Sequence, residues 1–517
     1  MFYVRTFCYI LALVLLIGPT AVHAQNGDYE EWLRDQEERY QNFLDEQDEA
    51  FMEFLEEQWS AYDIDRGPAS QIDTKPITLP EAEPAESQPT PAEPDAETQP
   101  DREAPEEATE LDAPEETPDP DPTPEAPAPD AGEPDAGERA DALPRSARLS
   151  FHGTPTLLPY DASFTPSLRE APSKSSIATF WGNLAETDYE ALIETLHEQR
   201  RDLNLSDWGY YQYVRTAAAT LYDDSDTSLS NSATLWTWFV MMQSGYDARV
   251  GYANESVLLL LPAEQRLYGH PFMETEGQRY YVLNKDAHRI EAFTTYEGSH
   301  EAATQKLSFA SPQLPHLGAS TSSRTISFSY QGSDYEFEID YNSALVNYLQ
   351  SYPTVELGMT FEAPMSDTAR NSLQDALMPH LEERSPREAL NFLLRFVQYA
   401  TEYETDEEQF GETRFMFPEE ALAATATDCD DRAPLFAYLA RTLLGYETIG
   451  LLWEGEPGHA AVAIGTTDDL QATASDRTYT VDGHTYILAD PTFIGANLGM
   501  EMPFIENRKP QIVASSR

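Results

Sequence analysis

At 517 residues the chain is long enough for two or three domains, and its charge is lopsided: 91 acidic against 32 basic residues, a formal net charge of −59 at pH 7. A surface that acidic excludes nucleic acid and anionic membranes as partners, because both require a basic face.

The chain opens with Arg5, an apolar run from Phe7 to Ile17 and the small-residue ending Val22-His23-Ala24. That order predicts a secretory signal peptide over 1–24, cut after Ala24. The run falls short of the roughly 20 apolar residues of a membrane span, so no stable membrane insertion is expected after cleavage. The mature protein is expected in the periplasm or outside the cell. Cys8 leaves with the peptide, and Cys429 is then the last cysteine: a working thiol, half of an intermolecular bridge, or a buried spectator.

Residues 25–66 carry a repeat of period 11. Tyr29, Trp32, Leu33 and Gln36 recur as Tyr40, Phe43, Leu44 and Gln47, then as Phe51, Phe54, Leu55 and Gln58, and Tyr62 opens a fourth unit. Eleven residues make about three helical turns, so the aromatics line one face of a long amphipathic helix. Such a stripe must dock on the body, self-associate, or meet a protein partner through 29–62. From 67 to 145 the chain becomes Pro, Glu, Asp and Ala with few aromatics, the composition of a disordered acidic linker.

Folded sequence resumes near Leu149-Ser150-Phe151 and divides into a first half (146–310), a connecting β-hairpin and helix (311–385) and a second half (386–517). In the second half, helical patterns at Pro386–Thr401 and Arg432–Leu444 precede strands at Thr448–Trp453, Ala460–Gly465, Tyr479–Val481 and Tyr486–Ala489, with Asp482-Gly483 as a hairpin turn. The first half has helices at Tyr189–Asp202, Gly209–Leu221 and Ser232–Ser244, then strand-like runs at Ala248–Tyr252, Val257–Leu261 and Tyr280–Leu283. Gly245-Tyr246 and Gly445-Tyr446 end equivalent helices.

The chemistry concentrates in the second half. Cys429 lies at the start of an amphipathic helix, where amide groups and the helix dipole stabilise a thiolate. Asp428, Asp430 and Asp431 oppose that, so a base must stand close. His459 opens the run HAAVAIG, and Asp490 ends TYILAD. Cysteine on a helix start with histidine and aspartate on neighbouring strands is a workable nucleophile, base and orienting acid. His484 is a rival base, but Asp482-Gly483-His484-Thr485 reads as an exposed hairpin tip. Gln409 is either an oxyanion-hole donor beside the Cys429 amide or a surface residue of an acidic loop. The neighbouring acids lack EF-hand spacing and read as solvated charges rather than metal ligands.

The segments TDCDDRAPLFAYLARTLLGY, HAAVAIG and YILADPTF, in that order, resemble the transglutaminase-like superfamily of cysteine enzymes, and DEEQFGETRFMFPEEAL resembles the segment before the cysteine in bacterial members. The resemblance covers roughly the last 130 residues. It implies an α+β, papain-like core, a helix bearing cysteine packed on an antiparallel sheet. It further implies Cys429 as nucleophile, His459 as general base and acid, and Asp490 as orienting carboxylate. No metal or organic cofactor is needed for that chemistry, and the substrate would be a protein or peptide.

Aligned on the Gly-Tyr helix ends, the first half puts Leu229 at the position of Cys429, VLLLLP in place of HAAVAIG, and YVLNK where Asp490 would stand. It is expected to be a degenerate copy of the same domain. The function so expected is an exported enzyme that hydrolyses amides, or transfers their acyl group, through a thioester. The alternative is a non-enzymatic exported scaffold that uses the fold and the aromatic helix for binding.

Overall fold

The computed structural model describes residues 26–57, 59–65, 145–225, 229–283, 290–298, 300, 302–310, 314–455 and 457–516; the expected signal peptide and all of the expected linker but Arg145 lie outside them. Among the described residues no helix is long and apolar enough to cross a membrane.

Helix α1 (Asn26–Glu57) carries the 11-residue repeat through its third aromatic pair, and that last unit is docked. Phe51 and Leu55 are buried against helix α2 (Lys174–Ala185), and Phe43, one unit earlier, is 48 % exposed. The Phe51 ring meets Trp181 edge-on at 4.8 Å. A Cβ on Gly182 would lie 2.6 Å from the Met52 sulfur, so the glycine permits the close approach of the two helices. Asp48 is buried in the same contact, accepting from Tyr189 Oη (2.7 Å) and Gln243 Nε2 (2.8 Å).

The helix does not reach a fourth unit. Tyr62 lies in strand β1 (Trp59–Asp63), which pairs antiparallel with strand β8 (Ala292–Tyr296). An open sheet edge offers this Trp- and Tyr-bearing segment a full ladder of hydrogen bonds, and Trp59 packs on Tyr252 and Tyr296. The expected helical segment 25–66 is therefore a helix followed by a strand of the first half's sheet.

That first half begins with a hairpin, β2 (Arg145–Phe151) and β3 (Thr154–Tyr160), followed by α2, α3 (Tyr189–Asp202), α4 (Asp207–Tyr222) and α5 (Asn231–Gln243). Strands β4 (Arg249–Ala253), β5 (Ser256–Pro262), β6 (Phe272–Thr275), β7 (Gln278–Val282), β8 and β1 form an antiparallel sheet in the order β1-β8-β4-β5-β7-β6.

The connecting segment is shared between the two cores. Hairpin β9 (Thr321–Tyr330) and β10 (Ser333–Asn342) turns at Gln331-Gly332, both at positive φ, and buries Ile326, Phe328 and Ile339 with the second half. Helix α6 (Ser343–Leu349) instead buries Leu345 and Tyr348 with the first half. Helices α7 (Gly358–Glu362) and α8 (Asp367–Leu381) lead to α9 (Pro386–Ala400), started by the Ser385–Glu388 capping box with Pro386 as first helical residue.

Then come β11 (Glu402–Tyr403), α10 (Asp406–Gln409), α11 (Pro418–Ala423), β12 (Ala426–Thr427) and α12 (Cys429–Leu444). Strands β13 (Thr448–Trp453), β14 (His459–Gly465), β15 (Thr478–Val481), β16 (His484–Ala489) and β17 (Gln511–Ser516) form an antiparallel sheet in the order β17-β13-β14-β16-β15. The architecture is α+β, with both large sheets antiparallel.

Without β1, the two sheets have one topology: β8, β4, β5, β7 and β6 stand where β17, β13, β14, β16 and β15 stand. In each half a helix precedes the first of these strands and packs on the next one. Gly245 (φ +93°) and Gly445 (φ +73°) turn the chain out of those helices in the left-handed conformation. His459 and Ser256 open equivalent strands. Ladder pairing puts Val282 opposite Leu260 and Leu488 opposite Ala463, so the counterpart of Asp490 is Asn284, outside the described residues. Matched on the glycines, Cys429 corresponds to Leu229; matched on the helix starts, to Asn231.

Candidate active site

Helix α12 is nucleated by its own acids. Asp428 caps it in an extended conformation, its carboxylate accepting from the Asp430 amide (3.3 Å), and Asp431 reaches back to the Asp428 amide (3.3 Å). That places Cys429 as the first helical residue, fully buried.

The helix has 16 residues, about 24 Å long at 1.5 Å per residue. The chain leaves it at Gly445 and returns along the six residues of β13, about 20 Å, toward the helix start. Trp453 ends β13 and pairs with His459, the first residue of β14. Val462 of β14 pairs with Ala489, so Asp490, one residue past β16, falls at the same end. Topology thus brings Cys429, His459 and Asp490 to one end of the helix-on-sheet packing.

His459 Nε2 and Asp490 Oδ2 are 2.7 Å apart, both side chains wholly buried. The other carboxylate oxygen accepts from the Thr492 amide (3.0 Å) and the Phe493 amide (3.1 Å). A carboxylate at Nε2 requires the proton there, so in the neutral ring Nδ1 carries the lone pair. That Nδ1 is buried and has no hydrogen-bond partner. The imidazole is otherwise boxed by Trp453 (5.7 Å) and Phe504 (5.4 Å).

The acids around Cys429 are not solvated. Asp406, Asp428, Asp430 and Asp431 are all buried, correcting the expectation from sequence, because the α12 start is covered by the preceding segment. Met416 donates its amide to Asp431 (2.8 Å) and Arg414 its amide to Asp406 (2.8 Å). Burial pushes all four carboxyls up from the ordinary range, reinforced by the negative neighbours of Asp406, Asp430 and Asp431. Asp406 is pushed up to about 10. Neutral acids oppose a neighbouring thiolate far less than ionised ones would. Asp428, Cys429 and Asp430 offer ligand atoms within 4.8 Å of one another, as do Asp406, Asp428 and Asp431; these are the residues that could hold a cation here.

Arg432, three residues after Cys429, is buried and spends its guanidinium on Thr427 Oγ1 (3.1 Å) and the carbonyls of Thr401 (2.9 Å) and Glu402 (3.1 Å). It ties α12 to the end of α9. A buried arginine beside the cysteine, and Asp406 a little upstream, are the residues that reading the sequence missed; the signal was a lone Arg inside an otherwise acidic and apolar stretch.

For Gln409 two readings are open from the sequence, an oxyanion-hole donor beside the Cys429 amide and a surface residue of an acidic loop. Gln409 ends the short helix α10 on an exposed loop, and its amide donates to the Glu404 carbonyl (2.9 Å). His484 is exposed at the Asp482-Gly483 hairpin turn. No protein-family model matches the chain, and no curated protein matches it in sequence.

Proposed function

We propose that the protein is an exported cysteine enzyme of transglutaminase-like type acting on amide bonds of proteins or peptides, with hydrolysis favoured over transfer to an amine. The observation that carries this reading is the buried His459–Asp490 pair with an unpartnered Nδ1, at the end of the strand across which the Cys429 helix packs. His459 takes the thiol proton on Nδ1, the sulfur attacks the carbonyl carbon, and the imidazolium returns the proton to the departing amine. Water, deprotonated by the same nitrogen, then releases the acid from the thioester. Asp490 holds the tautomer and stabilises the imidazolium. The shared strand order supports reading the first half as a copy of this papain-like core that has lost all three groups.

Two probes test it on the full chain. Iodoacetamide labelling of Cys429 is expected to be half-maximal well below the pH of about 8.5 typical of a thiol. 1,3-Dibromoacetone is expected to bridge Cys429 to His459, seen as a cross-linked peptide by mass spectrometry. An ordinary pH profile with no bridge overturns the enzyme reading.

A second reading, an exported binding scaffold, is favoured by closure: Cys429 and His459 are 0 % exposed and Asp490 1 %. In that reading the exposed Phe43 on the outlying part of α1 is where a second copy or a partner protein attaches.

A further inference from the structure

Helix α9 is apolar on the face that packs under the β9–β10 hairpin, yet it carries a polar stripe at Arg387, Asn391, Arg395 and Gln398, spaced four, four and three residues apart, of which the last three are buried. Every one of these side chains reaches into the segment 471–498. Arg387 holds Asp476 (2.7 Å) and Asn391 accepts from the Leu498 amide (2.8 Å). Arg395 donates to the Gly495 carbonyl (3.1 Å).

Gln398 acts on the turn that carries Asp490. It is 2 % exposed. Its Nε2 faces three carbonyls, Phe493 (2.9 Å), Ala496 (3.1 Å) and Asp490 itself (3.4 Å), and its Oε1 accepts from the Gly495 amide (3.1 Å). Three acceptors on one side and an amide donor on the other fix which amide atom is which. The backbone of Phe493 is held on both sides of its Cα: its N–H donates to Asp490 Oδ1 and its C=O accepts from Gln398. Gly495 sits at φ +86°, a conformation that brings its amide to Gln398 at little steric cost. Through its own backbone carbonyl Gln398 also accepts from Arg432 (3.4 Å), on the helix that begins with Cys429.

We infer that Gln398 is a positioning residue for the Cys429–His459–Asp490 site, setting the turn 490–496 so that the Asp490 carboxylate meets His459 Nε2; the inference rests on the triad reading above. Outer-shell partners that orient a ligating or catalytic group typically govern activity by about ten- to a hundredfold.

The test uses the full chain and the rate of iodoacetamide alkylation of Cys429 across pH. Gln398→Met removes the hydrogen bonds at nearly constant volume. It is expected to slow alkylation at pH 7 about tenfold and to move the profile toward that of an ordinary thiol. Asp490→Asn should do the same, and the double variant should be no slower than Asp490→Asn alone, since both act through one carboxylate. Should Gln398→Met fail to fold, Gln398→Glu keeps the Gly495 acceptor. Its expected signature is a change in the imidazole ¹⁵N shifts of His459, which a merely structural role would not produce. A Gln398 variant as reactive as wild type while Asp490→Asn is slow, effects that add in the double variant, or unchanged His459 shifts in Gln398→Glu overturns this inference alone. An Asp490→Asn chain as reactive as wild type overturns the triad reading and the inference with it.

Discussion

Phe504 stands edge-on to the imidazole of His459, ring centroids 5.4 Å apart with the planes at 76°. It belongs to the turn between β16 and β17, and that turn is latched by Arg508, whose guanidinium donates to the carbonyls of Glu454 (2.6 Å) and Pro457 (2.7 Å) just ahead of His459. The aromatic shields the imidazole from water and strengthens its electrostatic contact with Asp490. It also closes the approach to His459. Phe504→Ala and Arg508→Ala should therefore raise the alkylation rate of Cys429 several-fold while leaving its half-maximal pH in place. Rates unchanged in both variants would show that the turn does not gate the thiol.

Cys429→Ala should abolish turnover of any protein or peptide amide that the wild type cleaves. The thiol is buried in a well-packed core, but it is one small group, so the loss of stability should stay near 1 kcal/mol. Activity in this variant above the uncatalysed background would remove Cys429 from the nucleophile's role. A collapse of the melting transition would point to a structural role instead.

The buried acids make a prediction about pH. A carboxyl whose pKa is raised by folding favours the neutral form. Its contribution to stability is fully present below its ordinary value, 3.8 for Asp406, and is lost as pH climbs toward the folded value of about 10. Over that window each such group can remove up to about 1.4 kcal/mol per pH unit. Asp406→Asn takes away the titration while retaining an acceptor for the Arg414 amide. The variant should match wild type near pH 4 and melt higher at pH 8. A variant that melts lower at pH 8 would mean that Asp406 is stabilising as an anion.

Some of this was readable from the chain because the determinants are local. HAAVAIG and TYILA have the apolar, β-branched composition of strands, and Asp482-Gly483 has the positive-φ preference of a hairpin turn, taken up at φ +50° and +83°. Asp428 and Asp431 form a capping box, and the cysteine follows from it. The shared helix-Gly-Tyr-strand pattern pointed to two sheets of one topology. What escaped depends on distant partners. Tyr62 becomes a strand residue because it meets Phe293 on a far segment. The run Asp428–Asp431 looks solvated until the segment through Met416 covers it. Gln409 differs from these: its amide donates to the Glu404 carbonyl five residues before it, a local contact that composition does not reveal.

The docking of α1 gives the last prediction. Phe51 packs against Trp181, Tyr296 and His300, Leu55 is fully buried, and β1 continues into the sheet of the first half. A cut anywhere in 67–143 therefore leaves the N-terminal piece attached by a helix face and a strand, not by chain connection alone. With a site-specific protease sequence inserted near residue 100, cleavage should give two bands on a denaturing gel but one peak in native gel filtration. Phe51→Ala removes the ring at the centre of the contact, a change worth about 3–5 kcal/mol in a packed core, and should let the cut piece separate. If the unmutated piece separates on cutting, the helix and strand are not held by the body. If it stays bound even with Phe51→Ala, the strand pairing of Trp59–Asp63 carries the attachment and the aromatic face is secondary.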